Sequence, residues 1–576
     1  MKKYINRNFF WSSLFVEQLS LYGIQHVCIS PGSRNTPLSL AFAENKKIKK
    51  IIIVDERSSG FFALGIAKQT KRSVAIVTTS GTAVAELYPA IIEAYQQRVP
   101  LIVCTADRPV SLRNTGANQT INQENIFRNH IRGFVDFGLP KINERSLKSL
   151  CKKAVEAIIN CESKNPGPVH LNFPFSKPLE PNSFTEEINF KTTDFLIKEK
   201  ATRNLLKTNN NRVLKEIQNS DKILIMVGWD NYDSKFYSEM VQFSEKNNLP
   251  IMVDGTSELR FYKNKTKNII VNHSSLFKVK SYQKLLEADL IIQFGNTPTS
   301  QSGLKFLGNT KAQKILVNEF GDKRDPSRKS GKVIKQNPSL FLKEISKHIS
   351  NQKQNLDWLN KIVKLEEVSE KLKNKVINRT KFGLEPRITN ELLSVVPNNS
   401  NLFISNSTPI RDFDFFASRN NKGLKIFTNR GASGIDGIIS TASGIAAQSK
   451  QKTFLLIGDL AFYHNLTALS NLVEYGIPLI IILVNNNGGG IFNMLPVAEE
   501  KTYFKKVFTT PLNLDYSKFV KGFGGDYSLI KNGKTFQNAI KKAISEKVFS
   551  VIEIKTDSEK SLELRKEYWT KLKQEV

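Results

Sequence analysis

The stretch "TFLLIGDLAFYHNLTALSNLVEYGIPLIIILVNNNGGG", residues 453–490, decides how this chain is read. It contains two short, continuously apolar runs, 453–459 and 479–487, of the kind that form strands buried on both faces of a parallel sheet. One helix of sequence separates them, and each run ends on residues that apolar strands do not favour. Asp459 closes the first; three asparagines and three glycines close the second. A strand–helix–strand crossover lays its strands side by side, so Asp459 and Asn486 are expected at neighbouring strand ends. Asn and Gly in that place form a tight turn. They also offer amide and backbone oxygens to a hard cation. Mg²⁺ prefers an octahedron of oxygens with one or two carboxylates and phosphate oxygens, and Asp459, Asn486 and the Gly488 carbonyl are the expected ligands. Helix cap and turn formers are the alternative roles of the same residues.

Working outward, the alternation of strand and helix continues in both directions. The first segment carries "HVCIS" (26–30), "IIIVDE" (51–56), "SVAIVTTS" (73–80) and "PLIVCTA" (100–106), and its prolines at "NPGPVHLNFPFSKPLEP" (165–181) read as a boundary. The middle segment carries strand candidates at 222–229, 250–255, 290–295 and 314–319. Residues 320–385 then become Lys/Asn-rich and helical, as a linker and entry helix would. The last segment adds 401–407, 425–431 and 549–556 to the two opening strands. The expected fold is α/β, with three doubly wound parallel-sheet domains: an N-terminal domain over 1–182, a middle domain over 183–355, a helical linker over 356–385 and a C-terminal domain over 386–576. Ligands of open parallel sheets sit at the carboxyl ends of strands. Ser33, Arg34, Glu56, Asp107, Arg108, Ser407, Arg430, Asp459 and Asn486 all follow strand candidates there.

Composition narrows the class. A chain of 576 residues, 40% of them hydrophobic, can build several cores. The net charge of +31 raises the question of nucleic acid, but the lysines are dispersed and no arginine-rich arm or zinc-finger spacing accompanies them. Dispersed lysines read as solvated surface with some steering of anionic ligands, and no nucleic-acid partner is expected. The longest apolar run, Ile477 to Val484, falls far short of the roughly 20 residues of a membrane-spanning helix, so no membrane insertion is expected. Phe10, Leu14, Val16, Leu19 and Leu21 suit an amphipathic first helix better than a signal peptide. Cys28, Cys104, Cys151 and Cys161 have no paired spacing and read as buried free thiols of a cytoplasmic protein.

Gly-Asp followed one helix and one strand later by Asn resembles the diphosphate motif of the thiamine-diphosphate (ThDP)-dependent decarboxylases and synthases, with Leu460 where the common motif has Gly. Such enzymes need a carboxylate against the cofactor's aminopyrimidine ring, and Glu56 in "IIIVDERSSGFFALGIAK" matches it; a Glu buried at a strand end suits the task, because low dielectric raises its proton affinity. "CISPGSRNTPL" (28–38), "TSGTAVAELYPAIIEA" (79–94), "TADRP" (105–109), "TGANQTINQ" (115–123), "NRGASGIDGIISTASG" (429–444) and "VNNNGGGIFNMLP" (484–496) together resemble one branch. That branch is the 2-succinyl-5-enolpyruvyl-6-hydroxy-3-cyclohexene-1-carboxylate synthases of menaquinone and phylloquinone biosynthesis, whose motif tolerates Leu after Gly-Asp.

The resemblance implies pyrimidine-binding, middle and diphosphate-binding domains, ThDP with Mg²⁺ or Mn²⁺, and a homodimer or dimer of dimers with active sites at the subunit interface. It implies a decarboxylating carboligation that joins 2-oxoglutarate to isochorismate and releases CO₂. Substrates with several carboxylates call for forked, permanently charged donors, and Arg34, Arg108, Arg411 and Arg430 match the substrate-site arginines. Ser33, Asn118, Gln119 and Ser407 match polar neighbours of substrate or cofactor. Gly434 and Ile435 match the segment that holds the cofactor in its bent form, and Ile491, Phe492 and Leu495 would wall the pocket against water. A basic pair expected in the middle domain falls on Gln301 and Ser302, with Lys305 slightly downstream. The nearest alternative is another ThDP carboligase, such as an acetolactate-synthase-like enzyme, which would share Glu56, Asp459 and Asn486 but would not require so many arginines.

Overall fold

Among the described residues eighteen strands follow one another as β1 (His26–Ile29), β2 (Lys49–Ile52), β3 (Val74–Thr78), β4 (Leu101–Asp107), β5 (Phe134–Asp136), β6 (Val169–Pro174), β7 (Ile223–Val227), β8 (Ile251–Val253), β9 (Ile269–Ile270), β10 (Leu290–Phe294), β11 (Gln313–Asn318), β12 (Lys332–Lys335), β13 (Asn401–Ile404), β14 (Lys425–Phe427), β15 (Thr453–Gly458), β16 (Ile480–Asn485), β17 (Asp526–Ile530) and β18 (Ser550–Lys555). They come from a computed structural model that describes residues 6–162, 165–182, 184–198, 211–348 and 356–575. The strands form three six-stranded sheets in the orders β2-β1-β3-β4-β6-β5, β12-β11-β10-β7-β8-β9 and β14-β13-β15-β16-β18-β17. Neighbours run parallel in each, as between β1 and β3, β7 and β10, and β15 and β16. The apolar runs lie where both faces are covered: every residue of β3, β7 and β16 is buried.

The first and third sheets share one strand order, and the middle sheet has the doubly wound order 3-2-1-4-5-6 when read from β9. The order reverses between β1 and β3, between β7 and β10, and between β13 and β15. The first and last of those points are where Arg34, Ser407 and Asp459 leave their strands.

The chain divides into two compact units. One comprises Met1–Asn204, Asn429–Lys450 and Ala461–Leu479 and holds the first sheet; the other comprises Leu205–Thr428, Gln451–Leu460 and Ile480–Val576 and holds the second and third. Within the first unit the helix Glu56–Thr70 packs against the helix Ile438–Ala447 at glycines. A Cβ on Gly65 would overlap the Thr441 carbonyl, and one on Gly444 would overlap the Phe62 carbonyl. Bare backbones are what allow the two helices to meet so closely.

Five strands escape the sequence pattern, four of them at sheet edges. β5, β9, β12 and β17 are edges of their sheets, so they are short or half-exposed and lack a continuous apolar run. The proline-rich stretch read as a boundary contains β6, an interior strand between β4 and β5, with Pro174 confined to its last position. Residues 320–348 complete the middle sheet with β12 and the helix Pro338–His348 instead of forming a linker. The expected linker helix, Leu356–Asn378, is docked: Glu366 accepts from the Val271 and Asn272 N–H groups, both at 3.0 Å. The first helix, Arg7–Leu21, is buried around most of its circumference instead of being amphipathic, and Leu21 is exposed. All four cysteines are buried and free.

Candidate active site

Asp459 follows β15 directly and is the first residue of the helix Asp459–His464. Only 2% exposed, its carboxyl is pushed up to about 7, chiefly by desolvation, against the pull of the Gly488 N–H and its own helix N–H groups. Gly488 donates its N–H to Asp459 Oδ2 at 2.7 Å. The loop can do this only with glycine: φ is +141°, and a Cβ would overlap the Thr509 carbonyl. Asn486 donates Nδ2 to Glu385 Oε1 at 2.7 Å, while its Oδ1 is buried with no hydrogen-bond partner. Cap and turn therefore coincide with a site that offers one buried carboxylate and one orphaned amide oxygen, a donor set that fits a hard cation. Among the described residues no group of three His, Cys, Asp or Glu side chains could hold a metal, so a cation here would depend on amide and carbonyl oxygens. Across the switch point Ser407 has φ +71°, and its carbonyl accepts from Arg411 Nη1 at 2.6 Å. Ile491 and Phe492 lie half-buried just beyond the glycines, Phe492 edge-on to Phe508, and Leu495 is 46% exposed.

In the first unit Arg34 and Arg108 come together at the ends of β1 and β4. Arg34 is buried, donates Nη1 to the Phe175 carbonyl at 2.7 Å, and leaves Nε without a partner. Burial and the Arg108 charge lower its pKa. Arg108 donates to the Ser80 hydroxyl, and Gln119 donates Nε2 to the Ser80 carbonyl at 3.0 Å. Ser33 and Asn118 are exposed and outside this cluster's hydrogen bonds. Beneath it lies a buried network that sequence reasoning missed. Gln123 accepts from the Gly81 N–H at 3.0 Å and donates to the Ala106 carbonyl and Asn172, and Asn172 in turn donates to Asp107 at 2.9 Å.

Glu56 departs from expectation. It is half-buried, the first residue of the helix after β2 instead of a buried strand end. Desolvation still raises its pKa, helped by the charges of Asp55 and Glu86. Its turn is clamped on both sides: the Tyr475 hydroxyl accepts from the Ile52 N–H at 2.6 Å and donates to the Ile52 carbonyl at 2.8 Å, and Thr467 donates to Asp55 at 2.9 Å. Arg430, Gly434 and Ile435 lie on the loop after β14, in the same unit as Glu56. Glu93, 3% exposed, fixes this loop by accepting from the Gly431 and Ala432 N–H groups at 2.8 and 2.6 Å, and Lys68 donates to Asn429 at 2.7 Å. In the middle domain Ser302 donates to the Ser274 carbonyl at 2.6 Å, and Lys305 is exposed.

Parallel sheets whose strand ends carry a carboxylate–amide pair and paired guanidiniums define a class that comparison with known proteins makes explicit. Residues 11–126 match the thiamine pyrophosphate enzyme N-terminal TPP-binding domain, 199–404 the middle domain of such enzymes, and 415–554 the C-terminal TPP-binding domain. The fold is that of a 4-hydroxybenzoylformate decarboxylase from Rhodococcus jostii RHA1, at TM-score 0.72 and 16% identity over 95% of this chain and 99% of that one. This chain is a ThDP-dependent enzyme. It is 35% identical to 2-succinyl-5-enolpyruvyl-6-hydroxy-3-cyclohexene-1-carboxylate synthase of Bacillus cytotoxicus over 99% of this chain and 98% of the relative. Synthases of the same name from Oceanobacillus iheyensis and Listeria innocua are 35% and 34% identical, covering 98% and 97% of this chain and 97% and 96% of theirs. The chain belongs to that synthase family.

Proposed function

We propose that this chain joins 2-oxoglutarate to isochorismate with loss of CO₂, forming 2-succinyl-5-enolpyruvyl-6-hydroxy-3-cyclohexene-1-carboxylate on the way to menaquinone or phylloquinone. The observation that carries this reading beyond the cofactor is the Arg34–Arg108 pair. Two like charges are held together at strand ends, offset in part by Asp107, and one of them is buried with an unpartnered Nε. Such a pair is stabilised by an anion, and a forked guanidinium matches a carboxylate.

ThDP, when bound, would supply a nucleophilic carbon and an electron sink for decarboxylation of a 2-oxo acid. Asp459, Asn486 and the Gly488 carbonyl would hold the Mg²⁺ or Mn²⁺ that accompanies it. Ser407, Gly434, Ile435, Ile491 and Phe492 line the cofactor. Glu56 would hold a proton facing the aminopyrimidine, a task served by the raised pKa that desolvation gives it. Arg34, Arg108, Arg411 and Arg430 orient the substrate carboxylates, assisted by Ser33, Asn118 and Gln119, and Leu495 excludes water from the pocket mouth. Residues 1–182, 183–355, 356–385 and 386–576 serve as pyrimidine-binding domain, middle domain, linker and diphosphate-binding domain. The active protein is a homodimer or a dimer of dimers, with active sites between subunits, and works in the cytoplasm. No helix among the described residues is long and apolar enough to cross a membrane.

The test is isochorismate consumption, followed by absorbance, with each of 2-oxoglutarate, ThDP and Mg²⁺ omitted in turn. Consumption that needs all three and releases CO₂ is the expected result. ThDP-dependent CO₂ release from pyruvate, without isochorismate consumption, would move the chain to the acetolactate-synthase-like carboligases.

A further inference from the structure

An asparagine amide can present oxygen or NH₂ to a cation by a half-turn about its last bond, so a metal ligand of this type needs its orientation fixed from behind. In this chain the fixing group is visible. Asn486 Nδ2 donates to Glu385 Oε1 at 2.7 Å, leaving Oδ1 buried and unpartnered. Glu385 is 5% exposed and begins the helix Glu385–Val395. Its other oxygen, Oε2, accepts from Arg565 Nη2 at 2.5 Å. Arg565, 2% exposed on the helix Ser558–Gln574, is held in turn by Asp412, with Nε to Oδ1 at 2.7 Å and Nη2 to Oδ2 at 2.5 Å.

We propose that Glu385, clamped by Arg565, is the positioning residue that turns the Asn486 amide oxygen onto the divalent cation. The inference rests on reading Asp459, Asn486 and Gly488 as the metal site. Its force comes from roles that cannot be reversed. Arginine only donates and stays charged, so the atom facing it must be an acceptor. An ionised Glu385 only accepts, so Asn486 must give it the NH₂ group. The amide oxygen is then left for the cation, on the side of the group where no protein donor meets it.

Glu385→Gln tests this with almost no change of shape. Arg565 requires an oxygen, which places the new NH₂ against Asn486. The Asn486 amide must then turn its oxygen to that NH₂ and its own NH₂ to the cation. Binding of Mn²⁺ to the full chain with ThDP present, read from the electron paramagnetic resonance signal of free Mn²⁺, is expected to weaken about 10- to 100-fold. Asn486→Asp alone is expected to weaken binding too, although carboxylates are the better cation ligands, because the new carboxylate faces Glu385. Combining Glu385→Gln with Asn486→Asp is expected to restore binding: one oxygen accepts from the glutamine and the other meets the metal. Asp459→Ala is the control for the site itself.

Wild-type affinity in Glu385→Gln, with binding lost in Asp459→Ala, overturns the positioning role and leaves the metal site standing. Unchanged binding in Asp459→Ala overturns both. Tighter binding in Asn486→Asp, or a double variant as weak as Glu385→Gln, overturns the orientation argument, and the Asn486→Asp arm does so even if Glu385→Gln fails to fold.

Discussion

The first and third sheets have the same strand order, yet their equivalent strand ends carry opposite chemistry. After the third strand of the N-terminal sheet come Ser80 and Gly81, and its fourth ends on Asp107 and is followed by Arg108. After the corresponding strands of the C-terminal sheet come Asp459 and Asn486. At the first end Asp107 is engaged by Asn172 and Arg113, and the guanidinium of Arg108 remains; at the other a buried carboxylate stands beside an amide oxygen with no partner. A shared scaffold thus sets only where ligands gather; the residues at the strand ends decide which ligands they are. The supports differ as well. Asn486 is backed by buried Glu385 and Arg565, whereas Gln119 is exposed at the surface and Arg108 half-buried. A cofactor that stays bound suits the first kind of support, and substrates that come and go suit the second.

Glu56→Gln should produce the largest break. With the turn still clamped by Tyr475 and Thr467, the fold should persist while kcat falls by about 10²- to 10⁴-fold. Near-normal ThDP-dependent turnover, with circular dichroism unchanged, would remove Glu56 from the reaction. Glu93→Gln is a smaller test of the loop that carries Arg430. Glutamine can accept only one of the two N–H groups that Glu93 now holds. Loss of one buried charge-assisted bond should raise KM for a substrate about tenfold through Arg430, with a smaller loss of ThDP affinity through Gly434 and Ile435 on the same loop. Substrate KM and ThDP affinity both unchanged would show that the loop does not depend on Glu93.

The smallest effect concerns stability alone. His170, buried in β6 against Thr105, has its pKa pushed down to about 3 by desolvation. Below the ordinary imidazole pKa near 6.5 the unfolded chain takes up a proton that the folded chain refuses until about pH 3. Stability should therefore fall across that window as the pH is lowered. His170→Gln should flatten the fall in a thermal-unfolding series, and an unaltered pH slope would assign the acid sensitivity to other groups.

Much of the C-terminal site was legible because abrupt changes of residue type mark strand ends: Asp after "FLLIG", Asn and Gly after "IIILV". Interior strands other than the proline-flanked β6 were legible for the same reason, and edge strands such as "KVIK" were not, since only Ile334 of β12 is buried. Glu385 and Arg565 were illegible. They are single charged residues on helices, far apart in sequence, and nothing local distinguishes them from solvated ones. Glu93 was hidden in the same way on the helix Tyr88–Gln97. Glu56 was found through resemblance, but its setting was misread, because "IIIVDE" continues as a helix from Glu56 instead of ending as a strand.

The central claim is that cofactor and substrate are held by different strand ends. ThDP affinity measured by calorimetry with Mg²⁺ in Asp459→Ala and Arg430→Ala, side by side, tests it most directly. The account predicts that affinity collapses in Asp459→Ala and stays near wild type in Arg430→Ala, whose defect would instead appear in substrate KM. Equal losses of ThDP affinity in the two variants would contradict the division.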